Sequence, residues 1–386
     1  MAAPKKIAIL ADFPLHCLPE SQFPAPTGHY ATWLPQLARG FEKAEEFELH
    51  WVTLDPLTPR PTCLKAWSQS FHVLPTWKRG RATTLFWADR RAIQRKLQEI
   101  QPDLVHGWGN ENIWGWASVS SQRPHILSVQ GLLGVYGELG RQHLRERLMV
   151  WIERFVLQKA QIITTESPWA RERIQEKTGR NDIRLVEYGV ADPFFEVELK
   201  PDLENPYAVM VGTADYRKGI DVAAQLFCRP ELQEFRLKVA GGISPFGEFW
   251  KNRSPSSVEW LGRKPQNEII DLLARARCLI LPTRADVCAN VVKEARVMGL
   301  PVVASPHGGH IQYVQHGQNG FICPLEEPEA WGKSLQFLFR NPTSATEMGK
   351  CRREVQRQTL RPEKTAEEFL RLYREILPPP STGSRK

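Results

Sequence analysis

The stretch that decides the fold is Leu281-Pro282-Thr283-Arg284-Ala285-Asp286, then seven residues, then Glu294-Ala295, Gly299-Leu300-Pro301-Val302-Val303-Ala304 and Gly308-Gly309. Cys278–Leu281 and Pro301–Ala304 are apolar runs of strand length, and Val291–Gly299 between them carries helical spacing. Strand, loop, helix and strand in this order imply parallel strands joined by a crossover helix. Open α/β sheets bind ligands at the carboxyl ends of their strands, which is where Asp286 closes a loop. Asn290–Glu294 opens the next helix, and its unpaired amides and positive dipole end suit a phosphate. Glu294 lies one turn inside. Two plainer readings stand beside these: Asp286 as a helix N-cap and Glu294 as a solvated helix charge.

Outward from this segment the alternation continues in both directions. Upstream, Tyr207–Val211 and Phe235–Ala240 read as strands, and Ile220–Phe227 and Gln266–Ala276 as helices; downstream, 327–340 and 343–377 read as helical. The first half repeats the pattern with strands Lys6–Ala11, Phe47–Leu54, Leu104–Gly107, His125–Val129, Ile162–Thr165 and Ile183–Val186. Helices are expected over Gly28–Phe41, Arg81–Ile100, Arg141–Ala160 and Pro168–Thr178. A polar, proline-containing stretch from Ala191 to Pro206 separates the halves. The strand ending at Ala11 is followed by Asp12-Phe13-Pro14 rather than G-x-G-x-x-G, which weighs against a nicotinamide dehydrogenase.

A second cluster is Val211-Gly212-Thr213-Ala214-Asp215-Tyr216-Arg217-Lys218-Gly219. A glycine at the end of a strand lets a ligand approach the backbone. Two cations at the start of a helix oppose its dipole, so their presence at Arg217 and Lys218 points to a bound anion.

These two clusters resemble the retaining glycosyltransferases of family 4. That family is marked by two acids separated by seven residues, E-A, G-x-P-V-V and a Gly-Gly loop. The resemblance extends over essentially the whole chain, most specifically over residues 205–325. It implies the GT-B fold, an α/β architecture of two Rossmann-like doubly wound domains facing each other across a cleft. Residues 1–192 would form the acceptor-side domain, 193–206 a linker and 207–360 the nucleotide-sugar domain. A helix over 361–377 would return to the first domain, and 378–386 would form a tail.

By the same resemblance Lys218 contacts the diphosphate, with Arg217 as a second cation; Asp286 holds donor-sugar hydroxyls and Glu294 the ribose. These four are the expected catalytic set. Gly28, Gly212, Arg263, Asn290, Val291, Gly308 and Gly309 complete the donor side, and His106 and Gln130 stand on the acceptor side. The chain departs from the pattern at five positions. Asp286 replaces the usual glutamate, Thr213 an arginine, His29 the second of a glycine pair, Gln130 a histidine and Tyr188 an asparagine.

The implied activity is transfer of a sugar, with retention, from a nucleotide diphosphate sugar to a hydroxyl of a glycan, a lipid-linked acceptor or a small molecule. Alternatives are a non-catalytic nucleotide-sugar sensor or scaffold and a GT-B-like nucleotide-sugar epimerase.

Composition bounds these readings. A chain of 386 residues suits two domains, and 42% hydrophobic with 24% charged residues is ordinary for a globular protein. Seven cysteines without a C-x-x-C pair, and ten histidines without H-E-x-x-H, predict neither a disulfide framework nor a dedicated metal site. No cofactor beyond the donor is expected. The N-terminus lacks a secretory pattern and no apolar run spans a bilayer, so the expected location is cytoplasmic. A net charge of +8 favours anionic partners, although no nucleic-acid-binding module is present. Lys78–Lys96 holds seven basic residues and one acid around Leu85, Phe86 and Trp87, and Arg141–Lys159 is a second basic amphipathic stretch. Both read as solvated faces or as docking sites for the anionic inner face of a membrane.

Overall fold

The computed structural model describes residues 3–24, 33–77, 81, 84–111, 113–140 and 143–377. The elements run β1 (Lys5–Leu10), α1 (Trp33–Gly40), β2 (Phe47–Asp55), β3 (Thr62–Ala66), β4 (Gln69–Pro75), α2 (Trp87–Ile100), β5 (Leu104–Trp108), α3 (Ile113–Val119), β6 (His125–Val129), α4 (Leu133–Tyr136), α5 (Leu144–Lys159), β7 (Ile162–Thr165), α6 (Pro168–Thr178) and β8 (Ile183–Leu185). They continue with α7 (Pro193–Glu196), β9 (Tyr207–Val211), α8 (Ile220–Phe227), β10 (Arg236–Ala240), α9 (Pro245–Lys251), β11 (Val258–Gly262), α10 (Gln266–Arg275), β12 (Cys278–Leu281), α11 (Asn290–Met298), β13 (Val302–Ala304), β14 (Gly320–Ile322), α12 (Pro328–Arg340), α13 (Pro342–Lys350), α14 (Arg353–Thr359) and α15 (Pro362–Ile376).

The chain divides into two compact units, one reaching Tyr188 and resuming at Pro362, the other spanning Gly189–Arg361. The first unit holds an eight-stranded sheet in the order β3-β4-β2-β1-β5-β6-β7-β8. Only the β3–β4 hairpin is antiparallel. The second unit holds a six-stranded sheet in the order β11-β10-β9-β12-β13-β14, parallel throughout. Strands covered on both faces need apolar side chains in both directions, and β9 and β12 are buried at every residue. Within the first unit α15 packs on α1 so closely that a Cβ on Gly40 would lie 2.7 Å from Cβ of Ala366. Tyr373 of α15 sits against Phe41 and Phe47, with ring centroids 6.1 and 5.9 Å away.

Strand positions follow the apolar runs. β3, β11 and β14 escaped the sequence reading, being short and in part exposed or irregular, and β4 was missed although it is buried over most of its seven residues. The stretch 193–206 contains α7, and its Phe194 and Phe195 belong to the core of the second unit, so it is not wholly a linker. The continuous helical reading of 343–377 is also corrected: a left-handed turn at Arg352 (φ 58°) and Pro362 at the start of α15 divide it into three helices. Gly28 and most of the helix start expected there lie outside the described residues.

Candidate active site

The strand order of the second unit runs outward from β9 on one side and from β12 on the other, so the sheet has its switch point between these two strands. Loops leaving their carboxyl ends diverge around a crevice. The β9 loop begins at Gly212 (φ 137°), and a Cβ on neighbouring Gly241 would meet the Gly212 carbonyl oxygen at 1.9 Å. Only glycine permits that approach. Gly219 (φ 74°) presses on β12 in the same way, since its Cβ would stand 1.8 Å from the Pro282 carbonyl oxygen. The Arg217 carbonyl accepts hydrogen bonds from the Arg284 amide (2.7 Å) and the Thr283 hydroxyl (3.0 Å). Asp215 accepts one from the Lys218 amide (2.7 Å). Backbone contacts thus tie the two loops together before any charged tips meet.

The tips do meet. Lys218 Nζ ion-pairs with Asp286 Oδ2, and Arg217 Nη1 lies 3.4 Å from the same oxygen and 3.1 Å from the Ala285 carbonyl. Asp286 is buried, which by itself would raise its pKa. The charges of Lys218 and then Arg217 outweigh that and hold the carboxyl at about 2, below its ordinary 3.8. The Gly308-Gly309 loop folds over the same residue, with the Gly309 amide donating to the Asp286 carbonyl at 3.0 Å. A Cβ on Gly308 would lie 2.7 Å from both that carbonyl and His310 Nδ1.

Helix α11 starts four residues after Asp286. Its N-cap, Ala289, makes no side-chain cap, so the reading of Asp286 as a helix cap falls away. Glu294 is only 3% exposed, which removes the solvated-charge reading for that acid. Asn290 is the first helical residue and Val291 is buried behind it. Arg296, also fully buried, is structural: it donates to the carbonyls of Leu300 and Cys351 and to Gln356. Arg263 reaches the same sheet edge from the end of β11, where a Cβ on Gly242 would lie 3.2 Å from its Nε.

Residues 192–355 match the family model for glycosyl transferases group 1, and residues 31–192 that for glycosyltransferase family 4. The chain belongs to the family 4, group 1 glycosyltransferases. It is similar to the D-rhamnosyltransferase WbpZ of Pseudomonas aeruginosa, at 23% identity over 64% of each chain. The chain therefore spans slightly less than two thirds of that relative's length. Among solved structures, sucrose-phosphate synthase from Thermosynechococcus elongatus superposes with a TM-score of 0.79 at 19% identity, covering 97% of this chain and 99% of that one. Anabaena HepE in complex with UDP-glucose gives 0.69 at 14% identity, covering 96% and 99%. The fold class is GT-B.

In this family 4 chain one expected residue does not belong to a site. His106 is fully buried among Trp108, Phe369 and Tyr373; Nε2 shares a hydrogen bond with Ser128 Oγ at 2.7 Å and Nδ1 with the Tyr373 hydroxyl at 2.8 Å. Burial pushes its pKa down to about 3. With both ring nitrogens engaged in the core, His106 holds α15 to β5 and is corrected from the acceptor side.

Gln130 does stand at the carboxyl edge of the first sheet. Its Oε1 and Glu111 Oε2 flank Gly109, at 3.8 and 3.4 Å from where a Cβ there would sit. Beside them Glu153 of α5 accepts from the Leu133 and Gly134 amides (2.8 and 2.7 Å) and from Asn110 Nδ2 (2.7 Å). Burial raises its pKa to about 7 against the pull of those donors. Burial likewise raises Glu111.

The sequence reading missed Glu111, Glu153 and His310. For His310 a signal was available, since it follows Gly308-Gly309 directly. It is fully buried, its Nε2 lies 3.0 Å from the Ser305 carbonyl, and burial lowers its pKa to about 4 although Asp286 opposes the shift. The neutral ring donates from Nε2 and leaves Nδ1 as an acceptor beside the Asp286 loop. Among the described residues no cluster of three or more potential metal ligands occurs.

Proposed function

We propose that the chain transfers a sugar from a nucleotide diphosphate sugar to a hydroxyl acceptor, with retention of anomeric configuration. The observation that carries this reading is the convergence of Lys218, Arg217 and the Gly308-Gly309 loop on Asp286 at the switch point of the second sheet. Positive charge held in advance where a phosphate leaving group gains charge is the largest catalytic contribution a protein offers. Lys218 and Arg217 would supply it, with the amides at the start of α11. Asp286 would hold sugar hydroxyls and Glu294 the ribose. The acceptor hydroxyl would attack from the face the leaving group vacates.

Two cationic side chains at the position proposed for the diphosphate would make a metal ion unnecessary in this scheme. The solved likeness with UDP-glucose bound supports a uridine nucleotide as the first donor to try. All seven cysteines are free, which supports a reducing, cytoplasmic setting. Docking on an anionic membrane face, where it occurs, is best served by α5, whose Leu144 (83% exposed) and Trp151 (57%) stand among Arg145, Arg147 and Arg154. Among the described residues no helix is long and apolar enough to cross a membrane.

The test is a thermal-shift screen against UDP-, GDP- and ADP-sugars, followed by anomeric analysis of the product by NMR. A donor that stabilises the protein and is consumed with retention supports the reading; an inverted product refutes the mechanism. A sensor that binds without turnover is the second reading, favoured by Asp286 being occupied by both cations. Tight binding with no nucleotide release would select it.

A further inference from the structure

The first unit carries a groove of about 750 Å³ between α2 and the turn that precedes β6. Three guanidinium groups line it, those of Arg90, Arg91 and Arg123, together with Gln94, Gln98 and the indole of Trp87. Among the described residues no carboxylate lines it. The two acids of α2 are committed elsewhere: Asp89 is held by Arg81 (2.6 Å) and the Thr76 hydroxyl (2.6 Å), and Glu99 pairs with Lys96. Among the described residues none of the three arginines has an ion-pair partner. Arg90 lies over the Trp116 ring at 4.1 Å, Arg91 over Trp87 at 5.6 Å, and Arg123 donates to the Gln101 amide oxygen at 2.5 Å. Uncompensated positive charge is therefore built into a concave surface. Arg123 stands two residues before β6 begins, so the groove runs toward the amino edge of the sheet, opposite the edge that carries Gln130 and Glu111.

The lining chemistry narrows the ligand. Guanidinium forks match planar or tetrahedral anions bidentately. Amide side chains pair with hydroxyls, and Trp87, 62% exposed, offers a flat apolar face on which a sugar ring can rest. The volume lies in the range of small-ligand sites. A bilayer is poorly matched: it is flat, and among the described residues the large apolar side chains of the lining are Trp87 and Leu97, the latter 5% exposed and part of the floor. We propose that this groove is a second, non-catalytic binding site for an acidic oligosaccharide, one bearing carboxylates or phosphates, which would anchor a growing glycan on the first unit away from the transfer chemistry.

Binding is measurable without turnover, so the test is independent of the transfer reading. Tetragalacturonate is titrated into the full chain by calorimetry at low ionic strength, with maltotetraose, inorganic phosphate and anionic phosphatidylglycerol vesicles as the other arms. Tetragalacturonate should bind at least about tenfold more tightly than either maltotetraose or phosphate, as expected for several charge-assisted contacts made at once. R91Q/R123Q should weaken it by about tenfold or more with the thermal transition unchanged, and Trp87→Ala should weaken it while leaving the arginines in place. Both arginines are at the surface, so the variant should fold; an unchanged thermal transition verifies that. The proposal is overturned if tetragalacturonate does not bind, if R91Q/R123Q binds it as the parent does, or if phosphate alone binds equally well. Loss of vesicle binding in R91Q/R123Q with glycan binding unaffected would overturn it in favour of a membrane surface.

Discussion

Replacing Lys218 by alanine tests whether the ion pair at the second sheet's switch point serves chemistry, stability or both. Asp286 has its pKa depressed from 3.8 to about 2 by Lys218 and Arg217 against the opposing effect of burial. A depressed carboxylate contributes stability that is complete above the unfolded value and is lost as pH falls through the folded one. At neutral pH the difference corresponds to about 2–3 kcal/mol. Lys218→Ala leaves the buried carboxylate with Arg217 alone at 3.4 Å, so most of that contribution should go. For a unit of this size the thermal transition should fall by about 4–12 °C. Turnover should fall by about 10²–10³-fold, as for the loss of one preorganised donor.

The two losses separate in the double variant Lys218→Ala/Asp286→Asn. Removing the stranded charge should restore most of the stability and none of the activity. Calorimetry and a nucleotide-release assay with the donor found by thermal shift read the two effects independently. Normal turnover by Lys218→Ala, or recovery of turnover with stability in the double variant, would refute the role given to Lys218.

Other outcomes follow from the same geometry. Gly219→Ala should lower stability by about 2–4 kcal/mol in urea titration, because a Cβ at φ 74° would run into the Pro282 carbonyl. Glu153, raised to about 7 from 4.5, favours the fold while protonated and costs stability as pH rises through that window. Glu153→Gln loses one acceptor at every pH, so the expected signature is the pH dependence: its stability relative to the parent should improve by up to about 3 kcal/mol between about pH 4 and about pH 8. Chemical denaturation across pH checks this, and equal effects at both ends would sink it. Turnover should persist in EDTA; abolition by EDTA with rescue by a divalent metal would show that Arg217 and Lys218 do not suffice.

How much of this was legible depended on whether the signal was local. Buried parallel strands such as Tyr207–Val211 and Cys278–Leu281 announce themselves as unbroken apolar runs. Arg217, Lys218 and Asp286 were legible because charge placed against a helix dipole and at strand ends is locally unfavourable unless something uses it. His106 was not, because its partners Ser128 and Tyr373 are 22 and 267 residues away, and only the fold shows that both ring nitrogens are satisfied. Glu111 and Glu153 were hidden for the same reason, since a glutamate in a loop or in an amphipathic helix looks solvated until the fold around it is in place. Thr62–Ala66 eluded periodicity because an edge strand that is exposed on both faces has no apolar side to alternate with.

The ion pairs of Asp286 bear on how a donor would bind. Its carboxylate is paired with Lys218 and lies 3.4 Å from Arg217, so it offsets one of these two positive charges and leaves the other for an anion. In the scheme proposed above, a diphosphate would take Lys218 from Asp286 or share it, and that exchange would lower donor affinity relative to a site with an unpaired lysine. In that scheme the same exchange would free the carboxylate to accept sugar hydroxyls only once a phosphate has engaged Lys218. Ordered recognition of this kind predicts that nucleoside diphosphate binds without the sugar, whereas the free sugar binds detectably only when the diphosphate is present. Measurable binding of the free sugar alone would show that Asp286 is available from the outset, and the coupling between the two halves of the donor would not exist.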